Sequence, residues 1–584
     1  MNSQGTNSVH STLDDTGLTL DPSEGTDAPT NGRSKNETDA PLPKISARER
    51  GLLCLAVFTY CLILGNFSLM KHAHLMTTVF DMGIFDQSVW LVSRGYPPYL
   101  TTRGMGAFAD HFTPILYLLA PFYWIWSSPR TLLLIQTVAL GIGAFPVYSL
   151  ARKRLNSRQL AGAFAIGYLA FPAMHWINLF DFHPDIFSTP LLLYTFYYLR
   201  ERRWYGFFAS VGLLLMTKET LGLAVALVGV YLFFTTNRRV GAVTITLGLA
   251  ACVVALETLK YFNHGQSSAY ISLYGTYGLT SGAIAAYLFK HPVKVLQSLW
   301  TEDNRTYLIG LFAPISYLCM LAPDVLLLGV PTLMANLLSN RASMHTIYYQ
   351  YNAALIPFVF VAGIEGTKGL LDLIKYFFPK QASMGRRGVG AILAIGILTG
   401  SCQGPFWQRE NSPLSAEATV TSRDVQPLLD LVPATASVSA QSAIAAQLSE
   451  RRRIYMFPNP FQPMCWGNSV QALDQQEGRD IHIYPRRQLE ANIDRADIDY
   501  VVLGPVNTSH FPLNEEEYSL IVRALLSNRH YGVIKVQSSA ILLQRGAGYA
   551  EGRRLLQAEG TTFLSALAPP LPNKQGTSTE RMEQ

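Results

Sequence analysis

Charged side chains are scarce in this chain of 584 residues: Asp, Glu, Lys and Arg make up 15% of the sequence, and hydrophobic residues make up 49%. An ordinary soluble domain is about 25% charged, so the composition argues against a soluble enzyme and indicates a polytopic membrane protein. The net charge of +6 comes from a few short clusters and not from a continuous basic stripe. The charge pattern therefore argues against nucleic acid as a partner.

Cysteine is also rare, and both ends of the chain are long and polar. The six cysteines show no CxxC spacing and lie mostly in apolar runs, so we expect small core residues and not metal or redox sites. Only Cys402 and Cys465 are predicted to share an oxidising compartment, where they could pair. Residues 1–47 contain no apolar run, which predicts a disordered cytoplasmic tail and no cleavable signal peptide. Residues 566–584 are predicted to be a second disordered tail.

Long apolar runs recur between the two tails, and helices of this length can cross the roughly 30 Å of hydrocarbon in a membrane. The runs cover residues 51–70, 132–150, 161–180, 186–199, 204–234, 240–259, 307–338, 353–374 and 389–402. Residues 204–234 should form a hairpin of two crossings. We therefore predict an α-helical polytopic membrane domain over residues 48–405 with about eleven transmembrane helices.

Clusters of Lys and Arg set the predicted orientation, because these residues are enriched in cytoplasmic loops. They occupy residues 152–154, 200–203, 238–239 and 375–387. This places the N-terminus in the cytoplasm of a plasma-membrane protein. An odd number of crossings must then separate residue 70 from residue 152, so residues 114–126 should lie at the outer interface. They belong to a long first outer loop, residues 71–130.

Alternating strand and helix patterns follow the last apolar run. The patterns cover residues 432–440, 444–449, 453–457, 498–503, 515–526 and 531–543. We predict an extracytoplasmic α/β domain over residues 410–550.

Two acids follow the first apolar run, and they are the candidate catalytic residues. Asp81 and Asp86 lie in an amphipathic segment, residues 79–90. A carboxylate at the edge of the hydrocarbon layer can take a proton from an acceptor hydroxyl or hold a divalent cation, and burial raises its pKa. The alternative is that Asp81 caps the helix and Asp86 faces water.

Two further groups of ionisable residues belong to predicted outer loops. Asp110 and His111 close the first outer loop, where His111 either orients a phosphate or a sugar hydroxyl or caps the interfacial helix. Asp181, His183 and Asp185 place three ionisable side chains in five residues. Zinc would need further ligands, so an oxygen-rich site for Mg²⁺ or Mn²⁺, formed by Asp181 and Asp185 and shared with a phosphate, is the metal hypothesis. A plain loop is the alternative.

Cations mark the remaining candidate positions. Lys218 and Glu219 interrupt apolar sequence and are either a snorkelling pair at a hairpin tip or a phosphate-binding lysine with its acidic partner. Arg341 and His345 stand beside three tyrosines of residues 348–351. Aromatic rings next to a cation suit sugars and phosphates, but tyrosine also populates membrane interfaces without a function.

Several of these motifs occur together in a known family. The sequence resembles the bacterial membrane proteins grouped as domain of unknown function 2079, over about residues 52–543. The motifs that carry the resemblance are residues 80–87 (FDMGIFDQ), 111–114 (HFTP), 182–185 (FHPD), 218–219 (KE) and 351–357. That family is in turn similar to the polytopic glycosyltransferases of the GT-C fold, such as protein O-mannosyltransferases and aminoarabinose lipid A transferases.

The resemblance implies a function and roles for residues. Such enzymes take a sugar from a polyprenyl-phosphate carrier, and an acidic residue of the first outer loop acts in catalysis. Here Asp81 or Asp86 would take that role, while Asp181, His183 and Asp185 would help hold the phosphate, with or without a metal. The chain departs from the usual adjacent acidic pair, because its two acids are five positions apart.

We therefore expect a GT-C-type glycosyltransferase that moves a sugar to a lipid, protein or polysaccharide acceptor on the outer face of the membrane. A direct displacement would invert the anomeric configuration, with Lys218, Arg341 or a cation offsetting charge on the phosphate. One alternative is a lipid or solute transporter, which should place polar groups near the bilayer midplane and show repeats. Another is a non-catalytic envelope assembly protein that binds a partner through its α/β domain.

Overall fold

The computed structural model describes residues 45–265, 268–407, 422–464, 483–504, 510–537 and 539–567. Nearly all of both predicted tails, and Cys465 with its predicted pairing to Cys402, lie outside these ranges. The first helix begins at Ala47, where Ser46 and Glu49 form a reciprocal capping box. Helix therefore starts at the end of the segment that the sequence predicts to be a tail.

Helices account for nearly all of the regular structure up to residue 401. Those of the predicted membrane domain are Ala47–Ala73, Ile84–Ser93, Ala107–Asp110, Leu116–Ile125, Pro129–Ile142, Ala144–Leu155, Arg158–Leu169, Pro172–Leu179, Ser188–Arg200, Trp204–Leu215, Leu221–Thr235, Arg238–Phe262, Ser281–Lys290, Pro292–Ser298, Glu302–Phe312, Pro323–Leu326, Val330–Leu337, Ile356–Phe377 and Ala382–Ser401. A two-stranded hairpin, β1 (Tyr99–Leu100) and β2 (Met105–Gly106), lies in the first predicted outer loop.

Four stretches of the described chain are long and apolar enough to cross a membrane. They are Ala47–Ala73, Pro129–Leu155, Arg158–Leu179 and Arg238–Phe262. The protein is therefore a multi-pass membrane protein. The predicted number of about eleven crossings requires several helices that are too short to qualify alone, such as Trp204–Leu215 and Leu221–Thr235.

The chain turns where the sequence predicts a hairpin, between Leu215 and Leu221, so Lys218 and Glu219 lie at its tip. Helix Leu116–Ile125 covers the predicted interfacial segment and packs against helix Ile84–Ser93.

The predicted apolar run 307–338 is interrupted more often than expected. Its first helix ends at Phe312, and short 3₁₀ turns follow on both sides of Pro323. The prolines at 314 and 323 remove backbone hydrogen-bond donors, which favours these breaks.

Ion pairs form a polar layer at one end of the helices. Glu49 near the start of the first helix pairs with Arg152 (3.4 Å), and Glu365 pairs with Arg154 (2.7 Å). Lys71, 22 positions after Glu49, pairs with Asp181 (3.2 Å). At 1.5 Å per residue this separation is about 33 Å, close to the thickness of a hydrocarbon layer. The predicted cytoplasmic clusters and the candidate site thus occupy opposite ends of the first helix.

A five-stranded mixed sheet forms the core of the C-terminal domain. Its strands are β3 (Val438–Ala440), β4 (Ile454–Met456), β5 (Tyr500–Leu503), β6 (Tyr531–Gln537) and β7 (Ala540–Arg545). The order is β4-β3-β5-β7-β6, with β3 parallel to β4 and β5, and β7 antiparallel to β5 and β6. The sequence interval 531–543, predicted as one element, is a hairpin.

Helices cover this sheet and extend the domain past its predicted end at residue 550. The helices are Ser422–Leu429, Ser442–Ala445, Arg486–Arg495, Glu515–Ser527, Tyr549–Glu559 and Thr561–Ser565. The last two contribute Leu556 and Phe563 to the core of the domain.

Candidate active site

A single turn of π-helix, Val79–Gly83, carries Asp81 just beyond the end of the first helix. Thr78 caps this turn, because its hydroxyl oxygen accepts the backbone N–H of Asp81 (3.2 Å). The backbone N–H of Thr78 in turn donates to Asp181 (2.8 Å), whose other oxygen pairs with Lys71. Asp181 therefore fixes the backbone directly before the turn. The residue that caps the turn is Thr78 and not Asp81.

Asp81 faces a histidine across the site. Its carboxylate Oδ1 lies 3.4 Å from Nε2 of His183, and 35% of the Asp81 side chain is exposed. The Nδ1–H of His183 donates to the carbonyl oxygen of Asp181 (2.9 Å), so the pair with Asp81 is favourable when Nε2 is protonated. Burial raises the pKa of Asp81, but the hydrogen bonds of His183 and Thr78 and the charge of His183 outweigh it and lower the pKa below its ordinary value. Asp81 is thus an ionised, accessible carboxylate at neutral pH.

Asp86 lies in a different environment and does not face water. Its side chain is fully buried between the hydroxyls of Tyr123 and Ser449. Burial and the nearby Glu450 raise the pKa of Asp86 well above its ordinary value. The alternative that Asp86 is a solvent-facing residue is therefore wrong, and the two candidate acids differ in access and in the direction in which their pKa is shifted.

Lys218 and Arg341 provide cations next to this site. Lys218 forms an ion pair with Asp185, and both side chains are more than four-fifths buried. Its ammonium lies 6.0 Å from the centre of the Tyr351 ring, and the Tyr351 hydroxyl accepts a hydrogen bond from Arg341 (3.4 Å). Burial lowers the pKa of Lys218, but Asp185 and Glu219 raise it more, so the lysine stays charged. The arrangement can bind an anion beside an aromatic face.

Glu219 anchors the end of the first outer loop. It pairs with His111 (3.0 Å), whose ring stacks on Tyr270 with centroids 4.9 Å apart. The Tyr270 hydroxyl donates to Asp110 (2.9 Å). Burial raises the pKa of Glu219, but the charge and hydrogen bond of His111 outweigh it and lower the pKa to about 2.

Asp110 also forms a buried ion pair with Arg103 (2.9 Å), which lies next to the pair of Glu219 and His111. The Arg103 guanidinium lies over the ring of Phe80, 5.1 Å from its centre. Because Phe80 precedes Asp81, Arg103 connects the end of the loop to the turn that carries the candidate base.

Nine of the eleven predicted site residues belong to these connected clusters. The nine are Asp81, Asp110, His111, Asp181, His183, Asp185, Lys218, Glu219 and Arg341. Asp86 lies behind the turn, against the C-terminal domain. His345 donates through Nε2 to the carbonyl oxygen of Ser339 (2.7 Å), which fixes its own loop.

Sequence reasoning missed the partners of these residues: Lys71, Thr78, Arg103 and Tyr270. Lys71 carries one usable signal, because it directly follows an apolar run. The other three stand in sequence with no distinguishing pattern.

The predicted metal site at Asp181 and Asp185 finds no support in this arrangement. Each carboxylate pairs with a different lysine. Among the residues that the structure describes, no group of three or more His, Cys, Asp or Glu side chains could hold a metal ion. Binding of Mg²⁺ or Mn²⁺ by Asp181 and Asp185 therefore stays a prediction.

Two crystal structures of ArnT from Cupriavidus metallidurans match this fold at low similarity. The structure bound to undecaprenyl phosphate is 13% identical, with a TM-score of 0.49 over 86% of this chain and 99% of ArnT. The structure in the apo state is 12% identical, with a TM-score of 0.48 over 85% of this chain and 98% of ArnT. No curated protein matches the sequence. The family model of the predicted membrane proteins DUF2079 matches residues 71–479, well over half of the chain, and the protein belongs to this family.

Proposed function

We propose that the protein is a membrane glycosyltransferase that moves a sugar from a polyprenyl-phosphate carrier to an acceptor hydroxyl on the outer face of the plasma membrane. The observation that carries the proposal is the position of Asp81. It is an accessible carboxylate with a lowered pKa, held beside His183, in a site that also contains Lys218 and Arg341. A displacement at an anomeric carbon needs this combination of a base and phosphate-binding cations.

Asp81 acts as the base in this scheme. Its carboxylate takes the proton of the acceptor hydroxyl while the acceptor oxygen forms a bond to the anomeric carbon. The bond from that carbon to the phosphate oxygen breaks, and its electron pair leaves with the polyprenyl phosphate. One displacement inverts the anomeric configuration. His183 keeps the carboxylate oriented and ionised.

Lys218 and Arg341 offset the charge that develops on the departing phosphate. Lys218 lies over the Tyr351 ring and Arg341 donates to the Tyr351 hydroxyl, so two cations meet at one aromatic residue. Asp185 holds Lys218 before the donor binds. Such preorganised charges stabilise a transition state because they need little rearrangement during the reaction.

The site's place at the membrane supports a lipid-linked donor. The acids and cations are at one end of the first helix, about 33 Å from Glu49 and Arg152 at the other end. Because Lys and Arg clusters mark the cytoplasmic side, the site and the C-terminal domain are assigned to the outside. A polyprenyl chain in the outer leaflet would then present its phosphate at the site. Polar groups at a helix end also fit this reading better than a transporter's midplane site.

The test is release of polyprenyl phosphate by purified protein in lipid nanodiscs. A panel of polyprenyl-phosphate sugars is supplied with an acceptor-rich membrane extract, and the product's anomeric configuration is determined by NMR. A general base contributes roughly 10²- to 10⁴-fold to rate, so Asp81→Asn should lose at least two powers of ten. Asp372→Asn, an exposed acid paired with Lys368, is the matched control and should keep the wild-type rate.

Three results would overturn the proposal. Retention of configuration contradicts a single displacement, and a fully active Asp81→Asn enzyme contradicts the role of Asp81. No release from any donor would redirect the assignment toward transport or envelope assembly.

A further inference from the structure

One segment of the C-terminal domain, residues 441–453, lies against the back of the turn that carries Asp81. The amide of Gln447 donates to the carbonyl oxygen of His72 (2.9 Å), at the end of the first helix. The hydroxyl of Ser442 accepts the backbone N–H of Val79 (3.3 Å). Both contacts precede Asp81 along the chain.

Two more contacts follow Asp81. Ser449 Oγ lies 2.7 Å from Asp86 Oδ2, and the amide of Gln87 donates to the carbonyl oxygen of Arg451 (3.1 Å). The C-terminal domain therefore holds the chain on both sides of Asp81, through the residues at 72, 79, 86 and 87.

The hydrogen bonds around Asp86 indicate a neutral carboxylic acid. Ser449 has one hydroxyl hydrogen, and its Oγ is also within 3.1 Å of the carbonyl oxygen of Ala446. If Ser449 donates to that carbonyl, its oxygen can accept a proton from Asp86, while the other oxygen of Asp86 accepts from the Tyr123 hydroxyl. Each of the three hydroxyl hydrogens then has an acceptor among these buried groups. An ionised Asp86 would leave two acceptors competing for one hydrogen.

Burial and Glu450 favour the same state, because both raise the pKa of Asp86. Glu450 is itself held by the hydroxyl of Ser127, at the end of the interfacial helix.

We infer that Asp86 is a positioning residue: as a neutral acid bonded to Ser449, it fixes the turn Val79–Gly83 to the C-terminal domain and so sets the position of Asp81 relative to His183. This inference rests on the proposed function of Asp81. It makes the C-terminal domain a part of the active site, although none of its residues is assigned to the chemistry.

Four variants test the inference. Asp86→Asn keeps both bonds, because its amide N–H donates to Ser449 and its oxygen accepts from Tyr123. Asp86→Leu and Ser449→Ala remove the hydrogen bond between Asp86 and Ser449. Ser527→Ala, at an exposed serine of the same domain whose hydroxyl bonds within its own helix, is the matched control.

The measured quantities are kcat and KM for the lipid-linked donor. Asp86→Asn and Ser527→Ala should stay within about threefold of wild type. Ser449→Ala and Asp86→Leu should lower kcat at least tenfold and change KM by less than threefold. The cations proposed to bind the donor phosphate stay in place, whereas the base, Asp81, is displaced. An inactive Asp86→Asn enzyme would show that the charge of Asp86 is needed, and wild-type kcat in Ser449→Ala would show that the connection does not matter; either result overturns the inference.

Hydrogen exchange of residues 79–83 provides a readout that needs no turnover. Exchange should speed up in Ser449→Ala and stay unchanged in Asp86→Asn and Ser527→Ala. If the wild type releases no lipid phosphate but exchange follows this pattern, the proposed function fails while the connection stands. Unchanged exchange in Ser449→Ala would show that the bond to Ser449 does not hold the turn. This result decides the question even if Asp86→Leu does not fold.

Discussion

The buried pair of Arg103 and Asp110 allows a quantitative test of how the first outer loop is held. Only 2% of the Arg103 side chain and 9% of the Asp110 side chain are exposed, so removing the guanidinium strands a buried carboxylate. Breaking a buried ion pair from one side costs about 3–5 kcal/mol. At 1.4 kcal/mol per tenfold, Arg103→Met should shift the opening equilibrium of this loop by roughly two to three and a half powers of ten.

The double variant separates the pair from its surroundings. Asp110→Asn in the Arg103→Met background removes the stranded charge, so the double variant should recover about 2 kcal/mol relative to Arg103→Met alone. Tyr270→Phe removes one donor to the charged Asp110 carboxylate and should cost about 1.5–3 kcal/mol. Hydrogen exchange of residues 99–111, measured in nanodiscs, reports the local opening free energy.

Two outcomes would refute this reasoning. Exchange at the wild-type rate in Arg103→Met would mean that the pair does not hold the loop. Simple additivity of Arg103→Met and Asp110→Asn would mean that the two side chains do not interact.

Three further predictions concern the charges of the site. Burial lowers the pKa of His111, but Glu219 and Asp110 raise it more. The stabilisation by the pair with Glu219 is therefore full below the pKa of the unfolded histidine, about 6.5, and is lost as pH rises through the pKa of the folded state. Glu219→Gln should flatten this alkaline decline in melting temperature. Lys218→Met should lower kcat/KM for the donor at least tenfold, whereas Lys368→Met, a half-buried lysine that pairs with Asp372, should leave it unchanged. EDTA should not slow lipid-phosphate release, and recovery of chelated protein by Mn²⁺ would instead favour the metal prediction.

Local patterns predicted much of the architecture. The apolar run 204–234 predicted a hairpin with Lys218 and Glu219 at its tip, and the turn between Leu215 and Leu221 confirms it. The run is interrupted there by charge, which is costly in hydrocarbon, and that signal needs no knowledge of distant residues. The strands and helices beyond residue 432 could be predicted in the same way, because the periodicity of apolar residues is a local property of the sequence.

Pairings between distant residues were not predictable in this way. Glu219 meets His111 across 108 positions, and Ser449 meets Asp86 across 363. Neither serine nor aspartate carries a mark of its partner in a single sequence, since packing of the whole domain brings them together. The division of roles between the two candidate acids therefore depends on contacts that only the structure provides.

The most direct test of the account compares Asp81→Asn with Asp86→Asn at saturating lipid-linked donor. The account predicts that Asp81→Asn releases polyprenyl phosphate at least 100-fold more slowly than wild type, while Asp86→Asn stays within about threefold. A fully active Asp81→Asn enzyme would contradict the account. So would an Asp86→Asn enzyme that is 100-fold slower than wild type.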